Sequence, residues 1–398
     1  MSRRWYRTAA LALAASVGLG PGPLLAGLGP AAPLVGLGPS VALAAPAEPP
    51  ALPGTGNGCV GPSAIVADRP SWAFRRVGPA DVWPLTKGAG VTVAVVDTGV
   101  SPAGGGLSGG VVAAGADVVR GGRADSDCLG RGTALAALVA ARPVGGSLFV
   151  GVAPEARVLP VRIVDGRGHV PPGAMAAGIA AATTAGADVI LLGVGTPTPD
   201  AGLRAAVRAA IRRDVVVVAA VSDQKPRDNR PVPPWYPASD PDVLAVGGVA
   251  QSGAPTEAAS PDSGLDLLAP GEQAYTVGPV GTGNYLVGGP AVAAAQVAAA
   301  AALVRAYHPD LDQAEVRRRL VGTGGGGLDV YAAVADSAAP ETSVPPRAAP
   351  RLVVPGPEPV PARQRIAATV AAGTVLAAAV AALTVAAVRR GRRRRWRP

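Results

Sequence analysis

The sequence predicts an α/β domain built on a doubly wound, mostly parallel sheet with helices on both faces. Three observations carry that expectation. Residues 91–96, 158–164, 188–194, 215–220 and 243–249 are short, nearly continuous apolar runs rich in Val, Ile and Leu, as strands covered on both faces must be. Residues 133–141, 173–185, 200–213 and 291–308 have helical length and small apolar side chains that allow close packing. The two kinds of segment alternate, and a crossover long enough to hold a helix is what joins parallel neighbours. Residues 311–320 add an amphipathic helix with an Asp near its start and three arginines near its end, the arrangement that the helix dipole favours. Sites on such sheets lie beyond the carboxyl ends of the strands, so the residues that follow each strand are the ones to inspect for chemistry.

Composition narrows the class. Charged residues make up 16% of the 398, aromatics 3%, and there are 54 Gly and 42 Pro, which excludes a coiled coil, a disulfide-rich miniprotein and an acidic disordered tail. The net charge of +9 is confined to the ends: Arg3, Arg4 and Arg7 at one, and Arg389, Arg390, Arg392, Arg393, Arg394, Arg395 and Arg397 at the other. Without those ten the 36 basic residues fall to 26, against 27 acidic ones, so the electrostatic footprint of a nucleic-acid partner is missing.

The ends read as targeting and anchoring segments. A basic stretch at 2–7 precedes an uncharged apolar run at 8–19, and Ala42-Leu43-Ala44-Ala45 has the small-x-small pattern of a signal peptidase site. Residues 1–45 are therefore expected to be a signal peptide cleaved near Ala44, with an uncleaved anchor as the alternative. Residues 366–388 carry neither charge nor Pro. As a helix they span about 34 Å at about 1.5 Å per residue, enough to cross a bilayer. The arginines at 389–398 then form a cytoplasmic tail by the positive-inside rule, and the body faces the extracytoplasmic side. The division that follows is an N-terminal extension packing on the domain at 46–87, the domain itself at 88–338, and a Pro-rich spacer at 339–365. Two cysteines in an exported chain are most simply a pair, Cys59 with Cys128, with two free buried thiols as the alternative.

The run Val91 to Val100 reads VTVAVVDTGV and ends its strand in Asp97-Thr98-Gly99. Further along come DCLGRGTA at 127–134, Gly151-Val152-Ala153-Pro154, VVVVAAVSD at 215–223 and Leu268-Ala269-Pro270-Gly271-Glu272. The segment from Gly289 to Arg305 and then Gly326-Gly327-Leu328-Asp329-Val330 close the series. In that order these motifs resemble those of the subtilisin-like serine peptidases (peptidase S8). The stretch WAFRRVGP at 72–79, Val82-Trp83-Pro84-Leu85, the cysteine within the second motif and the apolar run near the C-terminus make the chain resemble, more narrowly, the mycosins, a membrane-anchored branch associated with type VII (ESX) secretion.

The resemblance implies a catalytic triad, and the residues depart from it. Such a peptidase needs a hydroxyl nucleophile, an imidazole base, a carboxylate that orients the imidazole, and oxyanion donors. Asp97 stands at the aspartate position, Arg131 at the histidine, Ala291 at the serine and Asp223 at the oxyanion asparagine. A guanidinium has no acceptor, a methyl group cannot attack a carbonyl, and an ionised carboxylate repels a developing oxyanion. The chain has two histidines. His169 sits in a Gly/Pro-rich loop, and His308 lies at the far end of the helix that begins near Ala291, roughly 25 Å away at about 1.5 Å per residue. Asp97 and Arg131 are expected to form an ion pair where the triad would be. In the matched position Cys128 lies at the rim of the cleft, so a bridge to Cys59 would strap the preceding segment onto the body.

The expectation is a pseudopeptidase, a fold retained as a structural or peptide-binding component. The resemblance implies a type VII secretion membrane complex as partner, and an extended peptide could lie in the cleft. An active serine-type endopeptidase that processes exported proteins is the alternative, and it needs a nucleophile that the matched positions do not offer. No cofactor and no metal are expected: the glycine run at 324–327 lacks the strand-loop-helix context of a nucleotide site, and no ligand set stands out.

Overall fold

The computed structural model describes residues 48–54, 58–222, 234–256, 264–323, 326–335 and 389–390. The chain forms two units, Met1–Asp336 and Ser337–Pro398, and of the second only Arg389 and Arg390 are described, helical and exposed. The expected leader, the spacer, the apolar run at 366–388 and Asp223 lie outside the described residues.

The domain opens with α1 (Trp72–Val77), whose first turn is capped by Ser71 Oγ accepting from Phe74 N at 3.2 Å. Gly78, at φ 65°, ends it in a left-handed turn, and Pro79 starts α2 (Pro79–Val82). Then come β1 (Thr92–Asp97), β2 (Ala116–Asp117), α3 (Arg131–Ala140), β3 (Arg157–Arg162), α4 (Ala174–Thr184), β4 (Val189–Leu192) and α5 (Ala201–Arg212). The chain continues through β5 (Val216–Ala220), β6 (Leu244–Val249), β7 (Leu267–Pro270), β8 (Ala274–Val277) and β9 (Asn284–Val287) to α6 (Pro290–Tyr307), α7 (Gln313–Thr323) and α8 (Val330–Ala335).

Among the described residues seven strands make one sheet in the order β2-β3-β1-β4-β5-β6-β7, every pairing parallel. Their side chains alternate between two apolar layers. Val93, Val95, Val189, Leu191, Val216 and Val218 face one layer with α3 and α6. Ala94, Val96, Ile190, Leu192, Val217 and Ala219 face the other with α4 and α5. This is the doubly wound architecture read from the sequence. The order runs one way from β1 to β3 and the other way from β1 to β4, so the end of β1 sits at a topological switch point.

Helix α6 is apolar on every side because every side is covered. Thirteen consecutive residues, Val292 to Val304, are buried. Among the described residues it is the one helix long and apolar enough to cross a membrane, and here it is the spine of the domain.

The elements absent from the sequence reading are short. Strand β2 has two residues, and β7, β8 and β9 have four each, without the β-branched and leucine run that makes the equally short β4 legible. β8 and β9 form a separate antiparallel hairpin. Cys59 and Cys128 are bridged with their Cα atoms 4.4 Å apart, and Val60 N donates to Cys128 O at 2.9 Å, which fastens the N-terminal segment to the loop before α3.

Candidate functional site

Asp97 ends β1 and is fully buried. Its Oδ1 accepts from Thr98 N at 2.8 Å and from Arg131 Nε at 2.9 Å, while Oδ2 has no partner among the described residues. Arg131 is the first residue of α3, and its side chain remains 42% exposed. The expected ion pair is present, with one partner in the core and the other at the edge of a cleft.

The start of α3 is pressed against the loop after β1. Gly132 N donates to Thr98 Oγ1 at 2.8 Å, and a Cβ on Gly132 would meet Gly99 O at 2.1 Å, so only glycine fits there. Asp127 secures the same turn. Its Oδ1 accepts from Gly130 N at 2.9 Å, and its Oδ2 accepts from Thr133 N at 2.8 Å and Thr133 Oγ1 at 2.7 Å. Burial pushes the Asp127 carboxyl up to about 6, with the Thr133 and Gly130 donors pulling against it. The sequence reading did not single out Asp127; its signal was a helix-capping spacing, an Asp three residues before Gly130 and six before Thr133.

Ala291 stands in the first turn of α6. Gly193, just past β4, joins it to Asp97: a Cβ on Gly193 would lie 2.6 Å from Asp97 Oδ2 and 3.6 Å from the Ala291 Cβ. Thr98, Arg131 and Ala291 line a cleft of about 1020 Å³, walled also by Gly271 to Gln273, by Leu286 to Gly289 and by Ala51 to Gly54 of the N-terminal segment. Asp97, Arg131 and Ala291, distant in sequence, thus meet at one place. His169 is exposed in its loop, where its N–H donates to Asp165 Oδ1, and His308 caps the opposite end of α6 with Nε2 2.8 Å from Val334 O. Neither imidazole lines the cleft. No cluster of three or more His, Cys, Asp or Glu suited to a metal ion occurs among the described residues.

A seven-stranded parallel sheet, a carboxylate at the end of its switch-point strand and a long buried helix starting opposite it define the class of subtilisin-like serine peptidase folds. The subtilase family model matches residues 88–345, and a relative named Mycosin-1 from Mycobacterium tuberculosis (strain ATCC 25618 / H37Rv) is 33% identical over 397 residues, covering 82% of this chain and 85% of that protein. The chain belongs to the subtilase family, in its mycosin branch. Subtilisin DY from Bacillus licheniformis is 33% identical over 237 residues, 60% of this chain and 84% of its own length. Among solved structures, the MycP3 protease from the type VII (ESX-3) secretion system superposes with a TM-score of 0.61 at 29% identity, covering 72% of this chain and 97% of that one. MycP1 from Mycobacterium smegmatis gives 0.61 at 27% identity, with 72% and 91% covered.

Proposed function

We propose that this protein is a pseudopeptidase, a mycosin-like domain that binds and supports rather than cleaves, held on the extracytoplasmic side by a membrane helix at 366–388 and associated with a type VII secretion complex. The observation that carries the reading is the pairing of Asp97 with Arg131 beside the methyl group of Ala291. In a working enzyme the carboxylate orients an imidazole that takes a proton from a hydroxyl. Here it holds a cation that cannot accept a proton, and the residue across the cleft has no nucleophilic atom. By the motif match, Asp223 stands at the family's oxyanion asparagine position, an acceptor in place of a donor. The secretion role is supported by the relatives: MycP3 is a protease from the type VII (ESX-3) secretion system, and MycP1 is an essential component of the type VII (ESX-1) secretion system.

The test is a pull-down of the tagged, detergent-solubilised protein from its own cells, with mass spectrometry of what accompanies it. Recovery of type VII membrane components, unchanged by Asp97→Ala, supports a scaffold. Failure to recover them overturns the secretion role, and recovery of cleaved peptides overturns the pseudopeptidase reading.

A further inference from the structure

Residues 48–54 lie along the outer edge of β9. Leu286 N donates to Pro50 O at 2.8 Å and Leu52 N donates to Leu286 O at 2.9 Å, so Ala51 pairs in parallel with Leu286. Pro49, next to this pairing in the chain, is buried. Three prolines in Glu48-Pro49-Pro50-Ala51-Leu52-Pro53 fix φ near the extended value, so little freedom is lost on docking.

A second cavity of about 200 Å³ opens beside the main cleft, with Gln273 and Leu286 common to both. It is lined by Arg69, Trp72, Arg75, Gln251, Gln273 and Tyr275, side chains that carry hydrogen-bond donors; Arg69 is hydrogen-bonded to Tyr275 and Arg75 Nη1 donates to Pro70 O at 2.5 Å, which leaves each guanidinium further N–H groups. Trp72 Nε1 is buried and has no partner among the described residues. Gln273 is held at φ 45°, a strained conformation for a residue with a side chain. Among the described residues Glu48 is the one acid lining this cavity, and it stands off at 4.0 Å from Arg69, two-thirds exposed. A pair that exposed holds weakly.

We propose that the β9 edge and this donor-rich pocket form a docking site for an extended peptide bearing an acidic residue, and that Glu48–Gly54 is its resident, tethered occupant. The strand ladder supplies affinity without regard to sequence, and the pocket selects a carboxylate two residues before the first paired carbonyl. A partner strand with a better-placed acid displaces the chain's own segment. This rests on reading the domain as a binding module, and the two fail separately: an empty pull-down leaves the peptide result standing, and a failed titration leaves the membrane role standing.

The test is a titration of the full-length, detergent-solubilised protein with a fluorescent peptide Glu-Pro-Pro-Ala-Leu-Pro-Gly, which copies residues 48–54. In the parent the tethered copy competes at an effective concentration near millimolar, so binding is weak. In Glu48→Gln/Leu52→Pro, which removes the resident acid and one ladder donor, the peptide binds at least about tenfold tighter. A peptide with Gln for Glu binds about tenfold more weakly to that variant, and Arg69→Ala erases the difference between the two peptides. Amide exchange at Leu286 reports folding and docking together: it speeds up in the double variant and slows again when peptide is added. Equal affinity in parent and variant, equal affinity for the Glu and Gln peptides, or no binding to the variant overturns the proposal.

Discussion

Replacing Arg131 by Ala tests the energetic role of the ion pair directly. The parent buries the Asp97 carboxylate completely and satisfies its Oδ1 with Thr98 N and Arg131 Nε. The substitution leaves a core carboxylate with one hydrogen-bond donor among the described contacts and without its countercharge. Breaking a fully buried pair costs about 3–5 kcal/mol, and an exposed one about 0–1. Arg131 is 42% exposed while Asp97 is 0% exposed, which places the cost at about 2–3 kcal/mol. For a domain of this size each kcal/mol lowers Tm by about 2–4 °C, so a fall of about 5–10 °C is expected in thermal scanning of tryptophan emission. Asp97→Asn in the same chain removes the stranded charge and should recover at least half of the loss, the coupling expected of a direct pair. A Tm for Arg131→Ala within 1–2 °C of the parent, by the same conversion, would refute the argument.

Other outcomes follow from the neighbouring groups. Gly132→Ala drives a methyl into Gly99 O, 2.1 Å from the Cβ position, and should cost at least about 2 kcal/mol in denaturant unfolding. Because burial raises the folded Asp127 carboxyl to about 6 from 3.8, the folded state keeps its proton longer than the unfolded chain does. This group therefore favours folding fully below the lower value, and its contribution is lost as pH rises towards 6, by up to about 3 kcal/mol. Asp127→Asn should flatten that part of the stability-pH curve. Double replacement of Cys59 and Cys128 by Ala opens a loop with a separation of 69 residues and should cost about 4 kcal/mol in the chain-entropy account. The parent should not react with a fluorophosphonate probe, whereas Arg131→His/Ala291→Ser should become labelled; labelling of the parent would contradict the loss of chemistry.

The sequence made the centre of the fold legible and its margins obscure for one reason, the length of the signal. The strands β1, β3, β4, β5 and β6 run through continuous Val, Leu and Ala because both faces are covered, and α6 announces itself by thirteen buried residues in succession. Strands β7 to β9 are four residues long without the β-branched and leucine run of the equally short β4, and the strand at Ala51 lies in a Pro-rich stretch that gives no alternation at all. At the site, Asp97, Arg131 and Ala291 were readable because each sits in an ordered motif. The part played by Gly193 was not, since its role is to be absent: it leaves room for Asp97 Oδ2 against the Ala291 methyl. The donors around Trp72 come from separate stretches of chain, near 70, 251 and 275, and only folding assembles them.

The bridge between Cys59 and Cys128 also decides what a single cut in the backbone can release. A break anywhere between the two cysteines leaves both pieces on one particle, and they part on a gel only after reductant is added. A break between Gly54 and Cys59 has no such safeguard, because among the described residues the strand at Pro50 to Leu52 is then retained by two backbone hydrogen bonds, a buried proline and a distant ion pair. One nick there would free the occupant of the β9 edge while the rest of the N-terminal segment stays fastened.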